Sequence, residues 1–397
     1  LLYAGTDNGV FVSFDDGEHW QTLQRNLPVA WVRDLLVHDN DLIAATQGRA
    51  IWVLDDVSPL RQLDAAGATI AARLFAPAPA WRLRRDQNRD TPPPAETALG
   101  TNPPNGAVID YVLAANARQV GIEIRDASGQ LLRRFASNDA PPNALAKPYF
   151  ADAWLKPADL PGTRKGGHRF VWDLRLERPR AVKYDYSIAA VLGQSTPLVP
   201  QGALVVPGDY KVVLDVDGKT YTQPLPVRLD PRVQASTADL EAARDFSRAI
   251  EHELERSWLA HGQVEAVDSA LAKRLADKAH PPAGELKAAI DEYRKRLEPL
   301  RNDHGHEAPS LATINDVLGT LATDVEGADR LPTQPQEHLL ADYRAALDRS
   351  LVQWDDLHGT ALATLNRSLE TAGLGRVDVP TAGKIESGGE AESRDLP

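Results

Sequence analysis

Apolar residues recur along this chain at two periods, and the change from one to the other divides it. In residues 1–63, short apolar runs at 2–6, 10–14, 19–23, 32–38, 41–46 and 50–54 read as strands, with a weaker seventh behind them. Asp7-Asn8-Gly9 and Asp39-Asn40-Asp41 mark turns between them. Residues 64–105 read as a Pro-rich connector, with one extended strand over 74–83 and a solvated cluster of Arg84, Arg85 and Arg89. Residues 106–230 predict a β-sandwich. Val120, Ile122 and Ile124 alternate there with Gly121, Glu123 and Arg125, and Asp217-Gly218 demands a turn with positive φ.

From Ser236 the spacing becomes helical. Ser236-Thr237-Ala238-Asp239 is a capping box, and Leu240, Ala243, Phe246, Ile250 and Leu254 follow on one face. Gly262 is placed to bend or split this helix, which Pro281-Pro282 closes. Further helices are expected over 285–297 and 311–325, and from Pro335 to Gly373, so residues 236–373 predict an antiparallel bundle. Residues 374–397 have the composition of a loose tail.

The first region also repeats. A shift of 40 positions sets Ala4 on Ala44, Thr6 on Thr46, Asp15 on Asp55 and Asp16 on Asp56. Repeats of this length with several short strands each are the mark of propeller blades. Ser13, Asp15, Gly17 and Trp20 give S-x-D-x-G-x-x-W, a strand followed by a turn that Gly17 permits, with the indole expected to fold onto the blade. A buried aromatic there would make Trp20→Ala cost roughly 3–5 kcal/mol.

This motif resembles the Asp-box of sialidases, sortilin-type receptors and bacterial xyloglucanases, although His19 stands where the family usually has Thr. Gly48, Arg49, Trp52, Asp55 and Asp56 are similar to the closing blade of bacterial sortilin-like proteins with BNR repeats, often described as glycosyl hydrolases. Phe170, Trp172, Asp173, Pro207, Gly208 and Tyr210 resemble an immunoglobulin-like module. The resemblance implies terminal propeller blades, a sandwich and a helical region. It places the Asp-box at the rim, in a folding role, and puts Arg33, Gln47 and Arg49 in a position to line the ring mouth. It implies no cofactor and no metal.

Composition narrows the function. The chain has 397 residues, a net charge of -12 and no cysteine, which disfavours a nucleic-acid partner and removes thiolate chemistry. No apolar run is long enough for a membrane span. With no methionine and a first residue inside a strand, the sequence reads as a fragment, and the family resemblance implies an exported protein whose signal peptide would lie upstream.

No catalytic motif stands out. His252-Glu253 opens like a zinc-protease helix, but Arg256 replaces the second histidine. His304 and His306 sit in a polar loop. Adjacent Asp15/Asp16 and Asp55/Asp56 point to opposite faces of a strand, which does not suit a pair of glycosidase carboxylates. The expected function is a non-catalytic assembly that completes a propeller, with the remaining blades and a protein or polysaccharide as partners. The alternative is a glycoside hydrolase whose catalytic carboxylates lie in blades outside this sequence. Tyr149, Phe150, Trp154, Tyr184 and Tyr186 read as packed loop anchors in preference to a sugar-stacking surface.

Overall fold

The computed structural model describes residues 1–63, 71–84, 100, 102–140, 159–186, 198–278, 280–305 and 308–385. The expectations for Arg85, Arg89, Tyr149, Phe150, Trp154, His306 and residues 386–397 lie outside them, as does the side chain of Tyr186.

The chain is mixed β plus α. Residues 1–63 form two antiparallel three-stranded meanders, β1 (Leu2–Thr6), β2 (Gly9–Ser13) and β3 (Gln21–Thr22), then β4 (Val32–His38), β5 (Asp41–Thr46) and β6 (Ile51–Leu54). The weak seventh strand is replaced by a single helical turn, α1 (Ser58–Arg61), because Pro59 supplies a helical φ at its start and no strand donor. The repeat is structural. Thr6 Oγ1 donates to Gly9 O at 3.2 Å in the β1–β2 hairpin, and Thr46 Oγ1 donates to Ala50 O at 2.6 Å in the β5–β6 hairpin. The two meanders share a small core of Val10, Leu27, Val32, Leu42, Ala44 and Val57. β1 lies beside β4, and Gly5 makes this approach possible, since a Cβ there would sit 2.6 Å from Val32 Cγ1.

The expected single strand over 74–83 is two strands, β7 (Ala72–Leu74) and β8 (Ala80–Arg82), one in each sheet of the next unit. Pro77 and Pro79 interrupt the ladder between them, so the chain crosses from sheet to sheet. β9 (Ala107–Leu113), β10 (Val120–Arg125), β11 (Leu131–Ala136), β12 (Gly166–Trp172), β15 (Gly208–Val216) and β16 (Lys219–Leu229) complete the sheets β11-β10-β15-β16-β8 and β12-β9-β7. A short ladder of β13 (Asp185–Tyr186) and β14 (Leu198–Val199) lies apart. Both large sheets share one core, which includes Ile109, Val120, Ile122, Ile124, Phe170 and the fully buried Trp172. Trp172 meets Tyr210 edge-on at 6.1 Å, and its Nε1 donates to Arg175 O. Asp217 and Gly218 take the positive φ values, 52° and 90°, that their turn requires.

The helical region comprises α2 (Thr237–Leu275), α3 (Gly284–Arg301), α4 (Leu311–Val325), α5 (Gln334–Asp356) and α6 (Leu362–Thr371), the last two joined by a π-helical turn at Leu357–Ala361. The capping box forms as expected, Asp239 N–H donating to Ser236 Oγ at 3.1 Å and Ser236 N–H to Asp239 Oδ2 at 3.2 Å. α2 runs unbroken through Gly262. That glycine allows the C-terminal segment to cross close by, since a Cβ would meet Ile385 Cγ2 at 2.4 Å. Gly373, at φ 74°, ends α6 as a C′ residue, and Leu374 N–H donates to Leu369 O.

Polar joints tie the units together, two of them built on arginines. Arg169 donates to the carbonyls of Asp55 and Asp56 and is paired with Asp110, holding the second meander to the large sheets. Arg84 was expected to be a solvated linker charge. Together with Arg82 and Arg175 it instead meets Glu326 and Asp329 beyond α4 in a largely buried network.

Candidate functional site

The S-x-D-x-G-x-x-W sequence folds as a locked turn. After β2, Asp16 and Gly17 both take left-handed backbone, φ 56° and 99°. Ser13 Oγ accepts from Gly17 N–H at 2.8 Å and donates to Asp15 Oδ1 at 2.9 Å. Asp15 Oδ1 also accepts from His19 N–H at 2.9 Å, and its Oδ2 lies 2.7 Å from His19 Nδ1. These bonds, the His19 backbone N–H first, hold the Asp15 carboxyl down at about 2. His19 thus supplies a second clasp on Asp15. The side-chain atoms of Asp15, Glu18 and His19 lie within 4.8 Å of one another, but Asp15 already spends its oxygens inside the turn.

Trp20 departs from the expectation of burial. Its Nε1 donates to Gly17 O at 3.0 Å and its ring covers Gly17, yet the residue stays 42% exposed. Trp20→Ala is therefore expected to cost roughly 1–2 kcal/mol, well under the buried-aromatic figure. Urea unfolding of the variant measures this, and a loss above the burial-based range would show that the indole is covered in solution.

The second unit repeats the device with different residues. Trp52 Nε1 donates to Arg49 O at 2.7 Å, the same three-residue reach that Trp20 makes to Gly17. Gly48 turns the chain with φ 71°. Asp56 N–H donates to Asp41 Oδ1, and Asp56 Oδ1 accepts from Ser58 N–H, so this carboxylate holds the turn that leads into α1. Burial, with Asp41 and Asp56 nearby, raises the Asp55 pKa. Asp15 and Asp56 both spend carboxylate oxygens on turns.

Arg33 and Gln47 are brought together, Arg33 Nε donating to Gln47 Oε1 at 2.7 Å, while Arg49 lies exposed on the adjacent loop. The sequence reading missed Trp31, over whose ring the Arg33 guanidinium lies at 3.7 Å. The W-x-R spacing did not flag it, because side chains two apart share a face only on a regular strand, and β4 shifts register here.

The second meander also has an unusual face. Cross-strand rows Leu36–Ile43–Val53 and Asp34–Ala45–Ile51 line the side opposite its packed core. Leu36, Ile51 and Val53 are 55%, 69% and 50% exposed. The sheet is apolar on both faces and, among the described residues, covered on one.

Elsewhere the candidate motifs resolve into structure. Glu253 is buried between Arg256 and Arg344, and His304 pairs with Glu298 at 2.7 Å. Tyr184 is a packed anchor, its hydroxyl donating to Pro179 O and accepting from Ala181 N–H. Among the described residues no helix is long and apolar enough to cross a membrane. Comparison with protein-family models, with curated proteins and with solved structures returns no match.

Proposed function

We propose that this chain is a non-catalytic part of an Asp-box propeller protein, in which residues 1–63 are blade material, the two large sheets are an immunoglobulin-like sandwich and the helical region is a scaffold. The observation that carries it is the second meander, apolar on both faces and covered on only one. A free-standing sheet is normally polar on its outer side, whereas a sheet placed between two others is apolar on both. The partner is therefore further β-sheet, in the same protein or in another polypeptide, and the assembled surface presents a protein or polysaccharide ligand. Export to the periplasm or the cell exterior belongs to this reading.

Two measurements test it. The chain incubated with β-glucan and xyloglucan is expected to release no reducing ends, and release would refute the non-catalytic reading. Ile51→Lys with Val53→Lys is expected to change the stability of this chain by less than about 1 kcal/mol while abolishing its binding of a hydrophobic dye, because nothing among the described residues covers that face. A loss of several kcal/mol would show that the face is already packed and no second sheet is called for.

A further inference from the structure

One end of the second meander carries a feature for which sheet-to-sheet docking has no use. Register in the β4–β5 ladder shifts between Val32 and Asp34, so Arg33 stands as the extra residue of a bulge. Bulges re-aim side chains and gather beside binding sites. The Arg33 guanidinium lies on the Trp31 ring at 3.7 Å, and its Nε is held by Gln47 Oε1 at 2.7 Å. Gln47 is fixed in turn, its backbone N–H donating to Trp31 O at 2.8 Å. The loop that follows is forced into left-handed backbone at both Gly48 and Ala50, φ 71° and 63°. Alanine adopts that conformation only at a cost, and such outliers cluster at functional sites.

Three restraints thus immobilise an exposed arginine, a side chain whose rotamer freedom is costly to remove. Among the described residues no carboxylate bonds to it. Its terminal Nη1–Nη2 edge and the Gln47 amide N–H groups have no partner there. Asp34, the neighbouring acid, spends Oδ1 on the Leu35 N–H at 3.0 Å. Trp31 remains 49% exposed beside this fork.

We propose that Trp31, Arg33 and Gln47 form a binding site for the carboxylate of an acidic saccharide. The guanidinium edge takes the carboxylate with two parallel bonds, the geometry for which arginine is preferred over lysine. The Gln47 amide donates to a ring hydroxyl, and the exposed part of the indole packs against the C–H face of the sugar. A lone carboxylate would use Arg33 only. It is the amide and the indole that select a sugar ring. The site lies beyond the last apolar row of the bare face and does not depend on what covers that face.

The test is a titration of the ¹⁵N-labelled full chain, following arginine Nε–H and tryptophan indole resonances, with galacturonic acid trimer, the neutral galactose trimer and acetate. Arg33→Lys and Trp31→Ala assign the signals. The acidic trimer is expected to shift the Trp31 and Arg33 resonances saturably and at least tenfold more tightly than either control. Arg33→Lys, which keeps the charge and loses the fork, is expected to lose at least tenfold. No saturable shift, equal affinity for acetate or for the neutral trimer, or an unchanged affinity in Arg33→Lys would each overturn the proposal. None of these results bears on the covering of the bare face, which the dye and stability measurements address separately.

Discussion

Asp329→Ala is expected to cost roughly 3–5 kcal/mol and to release the helical region from the large sheets, the largest single-residue effect foreseen in this chain. The side chains of Arg82 and Asp329 are 4% and 5% exposed. Asp329 Oδ1 accepts from Arg82 Nη1 and, at 2.6 Å, from Arg84 Nε. Without it, Arg82 keeps only the bond from its Nε to Val205 O, and a buried guanidinium is left without a counter-charge. Glu326 does not compensate, because it already serves Arg175 at 2.8 Å and Ser247 at 3.3 Å. The cost is that of stranding a buried charge, so removing both partners with apolar groups of similar volume should be much milder than removing one. Calorimetry is expected to show the helical region melting as a separate, earlier transition in Asp329→Ala. A single unshifted transition would mean that the other contacts between the helices and the sheets hold the joint without Asp329.

The same joint makes stability depend on pH around neutrality. Glu251 lies on α2 with Oε1 accepting from Ala203 N–H at 2.7 Å. Burial above all, with Glu326 nearby, pushes its carboxyl up to about 7 against the opposing pull of the Ala203 N–H, Arg248 and Arg175. A carboxyl with a raised folded pKa binds its proton more tightly in the folded state. The stability it lends is present below its ordinary value of 4.5 and is lost as pH rises through about 7. The amount is about 3 kcal/mol for a shift of this size. His261 works in the opposite direction, since burial lowers its pKa and the stability from that group grows as pH climbs through 6.5. Glu251→Gln isolates the first contribution, because glutamine keeps an acceptor for Ala203 and never ionises. Between pH 5 and pH 8 the wild-type chain is expected to lose stability relative to this variant by up to that amount. Parallel pH profiles for the two proteins would remove Glu251 as the titrating group.

How much of this was legible depended on whether a feature is local. The turn of Ser13, Asp15 and Gly17 closes within a few residues and was read in full. The alternation of Val120, Ile122 and Ile124 was likewise sufficient, as was the capping box at Ser236. Trp20 is more exposed than expected because burial depends on which surfaces arrive from elsewhere, and none among the described residues reaches its outer side. Gly262 looked like a helix break because its neighbour Ile385 is distant in sequence. Arg84 looked like linker charge because its acidic partners lie some 240 residues away.

Sequence alone determined the strand and helix periods, the repeat in the first region and the turn chemistry. Each of these follows from side-chain spacing along a few consecutive residues. Only the tertiary structure decided that β7 and β8 belong to different sheets, that Arg82, Arg84 and Arg175 converge on Glu326 and Asp329, that Trp31 supports Arg33, and that one face of the second meander is left bare. These depend on the meeting of segments far apart in the chain, where burial and charge pairing are properties of the assembled fold and no local pattern encodes them.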